Sequence, residues 1–307
     1  MKAFLLLVVS GVLAAGVFIA GKQAGQAQLP PLLTLFWQLS GGALVVWAVA
    51  LPKRRFPRWD ATHVRYYLIG GLLGISLPYV LAFTALQKLQ VGMVGLLTAL
   101  SPIVTYALAR VLGLEPGHPL RLLGLMVGLG GVALLVAPQA ALEPTGDWGY
   151  LLLALGIPLT LASSNIYRSH FWPPGSEAGP LVIGMLSVQG IGLFLINLAS
   201  GTFVGVLPTT TDTTLLLTIL AGMAGTSYLS SFNLLRVGGP VYLSQMGYVI
   251  TAVTVLAGIL LWNEHYDSSD LMSMGLIFMG VLLTTWTRNL HSAKQPAPKT
   301  CRQPLNP

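Results

Sequence analysis

Gln38, Tyr79, Tyr106, Gln189, Tyr228, Gln245 and Tyr248 carry hydrogen-bonding tips, and each stands well inside an otherwise apolar run. Polar groups in such runs are costly unless they face protein or water, so together they predict the lining of a passage for polar solutes. Trp37 and Asn165 add further polar tips to the set. Gln245 and Tyr248 are three apart and are expected to share one helix face. Tyr79 follows Pro78, and a proline inside a helix frees a backbone carbonyl beside it. Pro102 is expected to do the same near Tyr106. For any one of these residues the competing role is an interhelical hydrogen bond, worth about 0.6 kcal/mol. As a set they favour a cavity that binds a small molecule.

Other chemistry is missing from the chain. His63, His118, His170, His265 and His291 read as loop or tail residues and form no metal-spaced pair. There is no HExxH, no G-x-S-x-G elbow, no phosphate-binding P-loop and no GxGxxG in a strand–helix context. The expectation is a protein without enzymatic activity, metal or cofactor. An ATP-driven process would need a separate subunit. The one cysteine, Cys301, lies in a polar tail and cannot form a disulfide within the chain.

The elements that must hold these groups are long apolar helices. Of 307 residues, 54% are hydrophobic and only 8% charged, against about 25% charged in a soluble domain. The surface must therefore face lipid. A spanning helix needs about 20 mostly apolar residues. Ten candidates are read at 3–21, 31–51, 66–86, 92–112, 121–137, 148–168, 180–200, 213–235, 241–262 and 270–288. The first follows Met1-Lys2 and imitates a signal peptide, but its apolar run to about Ala20 is long enough to span. Pro31 and Pro240 are expected to open the second and ninth helices, with Asp147 and Asp212 as N-caps of the sixth and eighth. Gly70/Gly74 and Gly124/Gly128 offer small-residue packing faces. Trp47, Trp59, Trp148, Trp172, Trp262 and Trp286 fit an interfacial aromatic belt.

The formal net charge is +7. The basic residues stand at the ends of apolar runs, which points to membrane orientation rather than nucleic acid. With a cytoplasmic N-terminus, all but Lys22 and Lys88 of the 16 lysines and arginines fall inside, Arg168 and Arg236 among them. Both termini are then cytoplasmic. Asn289 to Pro307 reads as a disordered tail.

A shift of 149 residues brings Pro31 onto Pro180, Gly41 onto Gly190, Val104-Thr105 onto Val253-Thr254, Leu112 onto Leu261, Glu115 onto Glu264 and Gly131 onto Gly280. Five spans per unit is odd, so the second copy must enter the membrane from the opposite side. The reading is an all-α membrane protein of two inverted five-helix repeats, 1–140 and 141–288, as in many secondary transporters. Glu115 and Glu264 each precede a helix, whose positive end favours a carboxylate. No carboxylate stands in mid-span for proton coupling.

The stretches Leu112–Val136 and Trp262–Leu283 resemble the ends of EamA-type halves in the drug/metabolite transporter superfamily. Each has a glutamate, a short link and a glycine-bearing helix. The resemblance covers about residues 3–288. It implies a secondary transporter or exporter of an amino acid, related metabolite or drug in a bacterial inner membrane, and it allows a homodimer. Family members often carry an arginine in the second helix, where this chain has Gln38. That speaks against an anionic substrate. The alternatives are a membrane enzyme acting on lipid-linked substrates and a non-transporting scaffold or sensor.

Overall fold

The structure is a computed structural model that describes residues 2–113, 119–142, 148–202 and 211–292. Among them 86% of the chain is helical and no strand occurs. Ten helices follow one another: α1 Lys2–Gln26, α2 Pro31–Ala50, α3 Ala61–Ala85, α4 Val91–Val111, α5 Pro119–Leu142, α6 Trp148–His170, α7 Ala178–Ala199, α8 Thr211–Ser244, α9 Met246–Trp262 and α10 Ser268–Ser292. The runs α1 to α4 and α6 to α8 are long and apolar enough to cross a bilayer; α9 and residues Leu122–Leu134 of α5 are shorter apolar stretches. Large apolar side chains such as Phe4, Leu44, Leu152, Ile191, Leu195 and Leu260 point outward. In water this would be untenable, and in lipid it is the expected exterior.

Each helix has its sequence-level reason. Pro30 precedes α2 and Pro31 opens it, where a missing N–H costs nothing. Asp60 caps α3, its Oδ1 accepting from the Thr62 and His63 amides at 3.1 Å each. Two helices are interrupted at depth. In α3 a π turn, Leu72–Ser76, comes just before Pro78. In α4 the helix stops at Thr98 and restarts at Ser101, with Pro102 in the first turn of the second segment. Both breaks fall where a proline cannot supply a backbone donor.

Two expected boundaries move. Pro240 does not open the ninth helix; α8 runs on to Ser244, and a turn at Gln245 starts α9 at Met246. Asp212 is the second residue of α8 rather than its cap, where its charge still meets the positive helix end. Asp147 and Glu115 lie outside the described residues. So does the tail beyond residue 292; α10 itself continues past 288.

The most extensively packed pairs are α5–α10, α4–α9, α2–α7, α1–α8, α3–α6, α2–α8, α3–α7, α1–α9 and α4–α6. Glycines set the closest approaches. A Cβ on Gly280 would fall against the backbone of Gly128 and Gly124, and one on Gly247 against the backbone of Ala99 and Thr98. Gly225 meets Gly42 in the same way. Helices this close gain dispersion contact that lipid does not supply.

A central cavity with a buried arginine

Six helices, α1, α3, α4, α6, α8 and α9, converge on a cavity of about 90 Å³. That is more than one water needs, about 10–15 Å³, so the cavity can hold a small molecule. Its aromatic side is built from Phe18 of α1, Tyr79 of α3 and Tyr228 of α8. Phe18 stacks on Tyr79 with centroids 5.6 Å apart, and Tyr79 meets Phe83 and Tyr228 edge-on at 5.7 and 6.1 Å. These are the geometries favoured by ring quadrupoles. Thr98 and Ser101 line the cavity from the two ends of the α4 break.

Arg168 also lines this cavity. The sequence reading places it among the orientation charges at the end of the sixth span. Instead it is buried, at 6% exposure. One guanidinium nitrogen donates to Asn165 Oδ1 at 3.3 Å. The guanidinium carbon lies 4.9 Å from the Phe232 ring centroid, a cation–π contact. The Nε has no hydrogen-bond partner among the described residues. The local fold makes room for this group. Gly74, in the π turn of α3, sits against Ser164 and Arg168, and a Cβ there would strike the Ser164 hydroxyl.

The sequence-predicted set divides. Tyr79, Asn165 and Tyr228 line the cavity together. Gln38 stands behind them, fully buried, with its amide donating to the Tyr228 hydroxyl at 3.5 Å. Gln189 is an interhelical clamp. It donates to the Tyr67 and Leu68 carbonyls at 3.1 and 3.2 Å and accepts from Ser76 at 2.7 Å, across a gap that Gly71 keeps open. Trp37 faces a separate cleft between α2 and α8, with Thr214, Thr218 and Gly222. Pro102 and Tyr106 are buried in the second segment of α4, outside the cavity wall. Gln245 forms the turn before α9, between the lining residues Ser244 and Met246. Tyr248 follows on α9, with its ring 5.8 Å from Phe278 of α10. The two are joined by a backbone bond from the Tyr248 amide to the Gln245 carbonyl, 3.1 Å. No group of metal-binding side chains occurs among the described residues.

Two histidines expected in loops stand in helices. His63 lies in the first turn of α3, buried, and His170 ends α6. His63 Nδ1 is 2.6 Å from Asp60 Oδ2, and its Nε2 is 2.8 Å from the Ser176 hydroxyl. Beside them Arg55 pairs with Glu177 at 2.6 Å. These contacts join the α2–α3 link to the α6–α7 link. Hydrogen bonding to His63 pulls the Asp60 carboxyl below the usual aspartate range. A carboxyl held lower in the folded chain adds stability above the unfolded value, about 4, and that stability is lost as pH falls through the folded value. Between about pH 5 and about pH 3 the melting temperature of the wild type should therefore drop more than that of Asp60→Asn. Thermal scans in detergent check this, and parallel curves would refute it.

The opposite links are joined by Glu264. Asn263 adopts a left-handed conformation, φ 49°, that ends α9 and turns the chain. The Glu264 carboxylate then accepts from the Val91 amide at 2.9 Å, the Gly92 amide at 3.5 Å and the Tyr266 hydroxyl at 2.6 Å. Burial, with the carboxylate beside it, holds the Tyr266 phenol well above its ordinary pKa, so it stays a donor. The expected role of Glu264 was to meet the helix that follows it. Instead it caps α4, from the other half of the chain.

Residues 1–137 match the EamA-like transporter family. Over 270 residues the chain is 26% identical to Protein PecM of Dickeya dadantii (strain 3937), covering 84% of this chain and 83% of that protein. Over 269 residues it is 25% identical to the uncharacterized transporter YvbV of Bacillus subtilis (strain 168), covering 85% of each. A solved structure described only as "Crystal structure of protein" superposes with a TM-score of 0.63 at 18% identity, covering 92% of this chain and 98% of the other. This last likeness speaks to fold alone.

Proposed function

We propose that this membrane protein, whose residues 1–137 match the EamA-like transporter family, is a transporter that moves a small organic solute by alternating access between two inverted halves, 1–140 and 141–288, ahead of a short tail. The observation that carries the reading is the polar cavity at the meeting point of α1, α3, α4, α6, α8 and α9. Helices of both halves contribute to it, as the midplane site of an inverted-repeat transporter requires.

The neighbour set supports the inversion. Exchange each helix for the one five places along: α5–α10, α4–α9 and α2–α7 return to themselves. Likewise α1–α8 becomes α3–α6, α2–α8 becomes α3–α7, and α1–α9 becomes α4–α6. Each of these nine pairs finds its counterpart. Tyr79, Asn165, Arg168 and Tyr228 are the proposed contacts to solute, with Gln38 orienting Tyr228. Trp37, Pro102, Tyr106, Gln189, Gln245 and Tyr248 support the wall. A bacterial inner membrane with both termini cytoplasmic fits the distribution of basic residues.

Flux into proteoliposomes across a broad panel of organic solutes tests the proposal. At least one solute should enter faster than in protein-free vesicles. Ser101→Trp, which fills the cavity, should return that flux to background with its melting transition retained. Equal flux with and without protein across the panel overturns it.

One observation favours a second reading. Asp60, His63 and Ser176 are spaced like a hydrolytic triad. Yet Asp60 is exposed at 55%, and the Ser176 amide is already engaged by the Pro173 carbonyl at 3.2 Å. A fluorophosphonate probe that labels the wild type and not Ser176→Ala would establish the enzyme.

A further inference from the structure

We infer that the central cavity selects a small organic monoanion, a carboxylate with a compact apolar body, anchored by the guanidinium of Arg168. The inference rests on the transport reading for its site and goes beyond it in naming the substrate class. A buried cation is costly unless it is paired. Among the described residues no carboxylate pairs with Arg168, and no acidic residue lines the cavity. What holds it in place is neutral: Asn165 Oδ1 at 3.3 Å and the face of Phe232 at 4.9 Å. Its Nε remains without a partner. The guanidinium is thus oriented by neutral groups that leave its charge uncompensated, beside an open volume. That is the arrangement that accepts an anion from solution.

Two further features agree. The second segment of α4 starts at Ser101 on the same cavity, and the positive end of a half-helix favours an anionic group. Phe18, Tyr79 and Ile157 of the same wall offer contact for an apolar body. A cavity of about 90 Å³ suits a compact body, from a short alkyl chain to a single ring. Among the described lining residues, one guanidinium and no carboxylate favour a single negative charge over a cation. The absence of an arginine at Gln38 therefore does not speak against an anion; the charge enters from α6.

The test uses the purified full-length chain in detergent, titrated calorimetrically with butyrate, butyramide and butylamine, then with benzoate and benzamide. Butyrate or benzoate should bind at least about 30-fold more tightly than its amide, the scale for truncating one partner of a buried charge pair. Butylamine should not bind. Arg168→Gln should remove the carboxylate preference, and Arg168→Lys should retain part of it, since the charge stays while the planar fork is lost. Equal affinity of acid and amide for the wild type, or no carboxylate binding, overturns the inference without need of any variant. Proteoliposome flux separates the two readings. If the amides or the amine move and no carboxylate binds, transport stands and the anion site falls. If carboxylates bind at Arg168 and nothing moves, the anion site stands and transport falls.

Discussion

Gly280→Leu should destabilise the protein by about 3 kcal/mol or more, the upper range for overpacking and core disruption. The new side chain would meet the Gly128 amide, the Gly128 Cα and the Gly124 carbonyl. All of these are backbone atoms, so no rotamer change relieves the clash. α5 and α10 would have to separate, and in a bilayer close packing is a main source of their mutual attraction. The same substitution at Gly275, on the same helix, meets nothing within 4 Å. It should stay within about 0.5 kcal/mol of the wild type. Thermal unfolding in detergent and the yield of monodisperse protein read both variants. Similar melting temperatures for the two would show that the α5–α10 contact is not tight.

The second large effect is expected at Glu264. Glu264→Ala leaves the Val91 and Gly92 amides and the Tyr266 hydroxyl without their acceptor. Unmade hydrogen bonds to a charged, part-buried group cost about 1–3 kcal/mol, and the positive end of α4 loses its counter-charge. A loss of about 2 kcal/mol is expected, with Glu264→Gln intermediate because its amide oxygen still accepts. The Tyr266→Phe variant should cost less, since only one of the three bonds goes. Chemical unfolding monitored by tryptophan fluorescence ranks the three. Equal stability of Glu264→Ala and wild type would remove the carboxylate as a cap.

Helix count was readable in the residues because lipid imposes it: each spanning helix needs a run of apolar residues. Which helices pack together was not read from the sequence. What could not be read is rotation about each helix axis. Gln38 and Gln189 are alike in type and both are buried, yet one orients Tyr228 and the other clamps α3 to α7. Trp37 is one residue from Gln38 and faces a different cleft. Arg168 was missed for a related reason. It lies two residues from the end of α6, where a long side chain can reach the interface or turn inward. The available signal was Asn165, three residues before it on the same helical face. An amide at that spacing is a ready acceptor for a guanidinium that turns inward. Glu264 could not be assigned from sequence order, because its partner is the first turn of a helix in the other half.

The glycine contact between α5 and α10 also bears on how the chain is made. Gly280 leaves the ribosome roughly 150 residues after Gly128, on the order of 8–30 s at about 5–20 residues per second. During that interval α5 cannot make its contact with α10, and Gly128 has only neighbours such as Ile103 of α4 to pack against. The pair is completed only by the last of the ten helices.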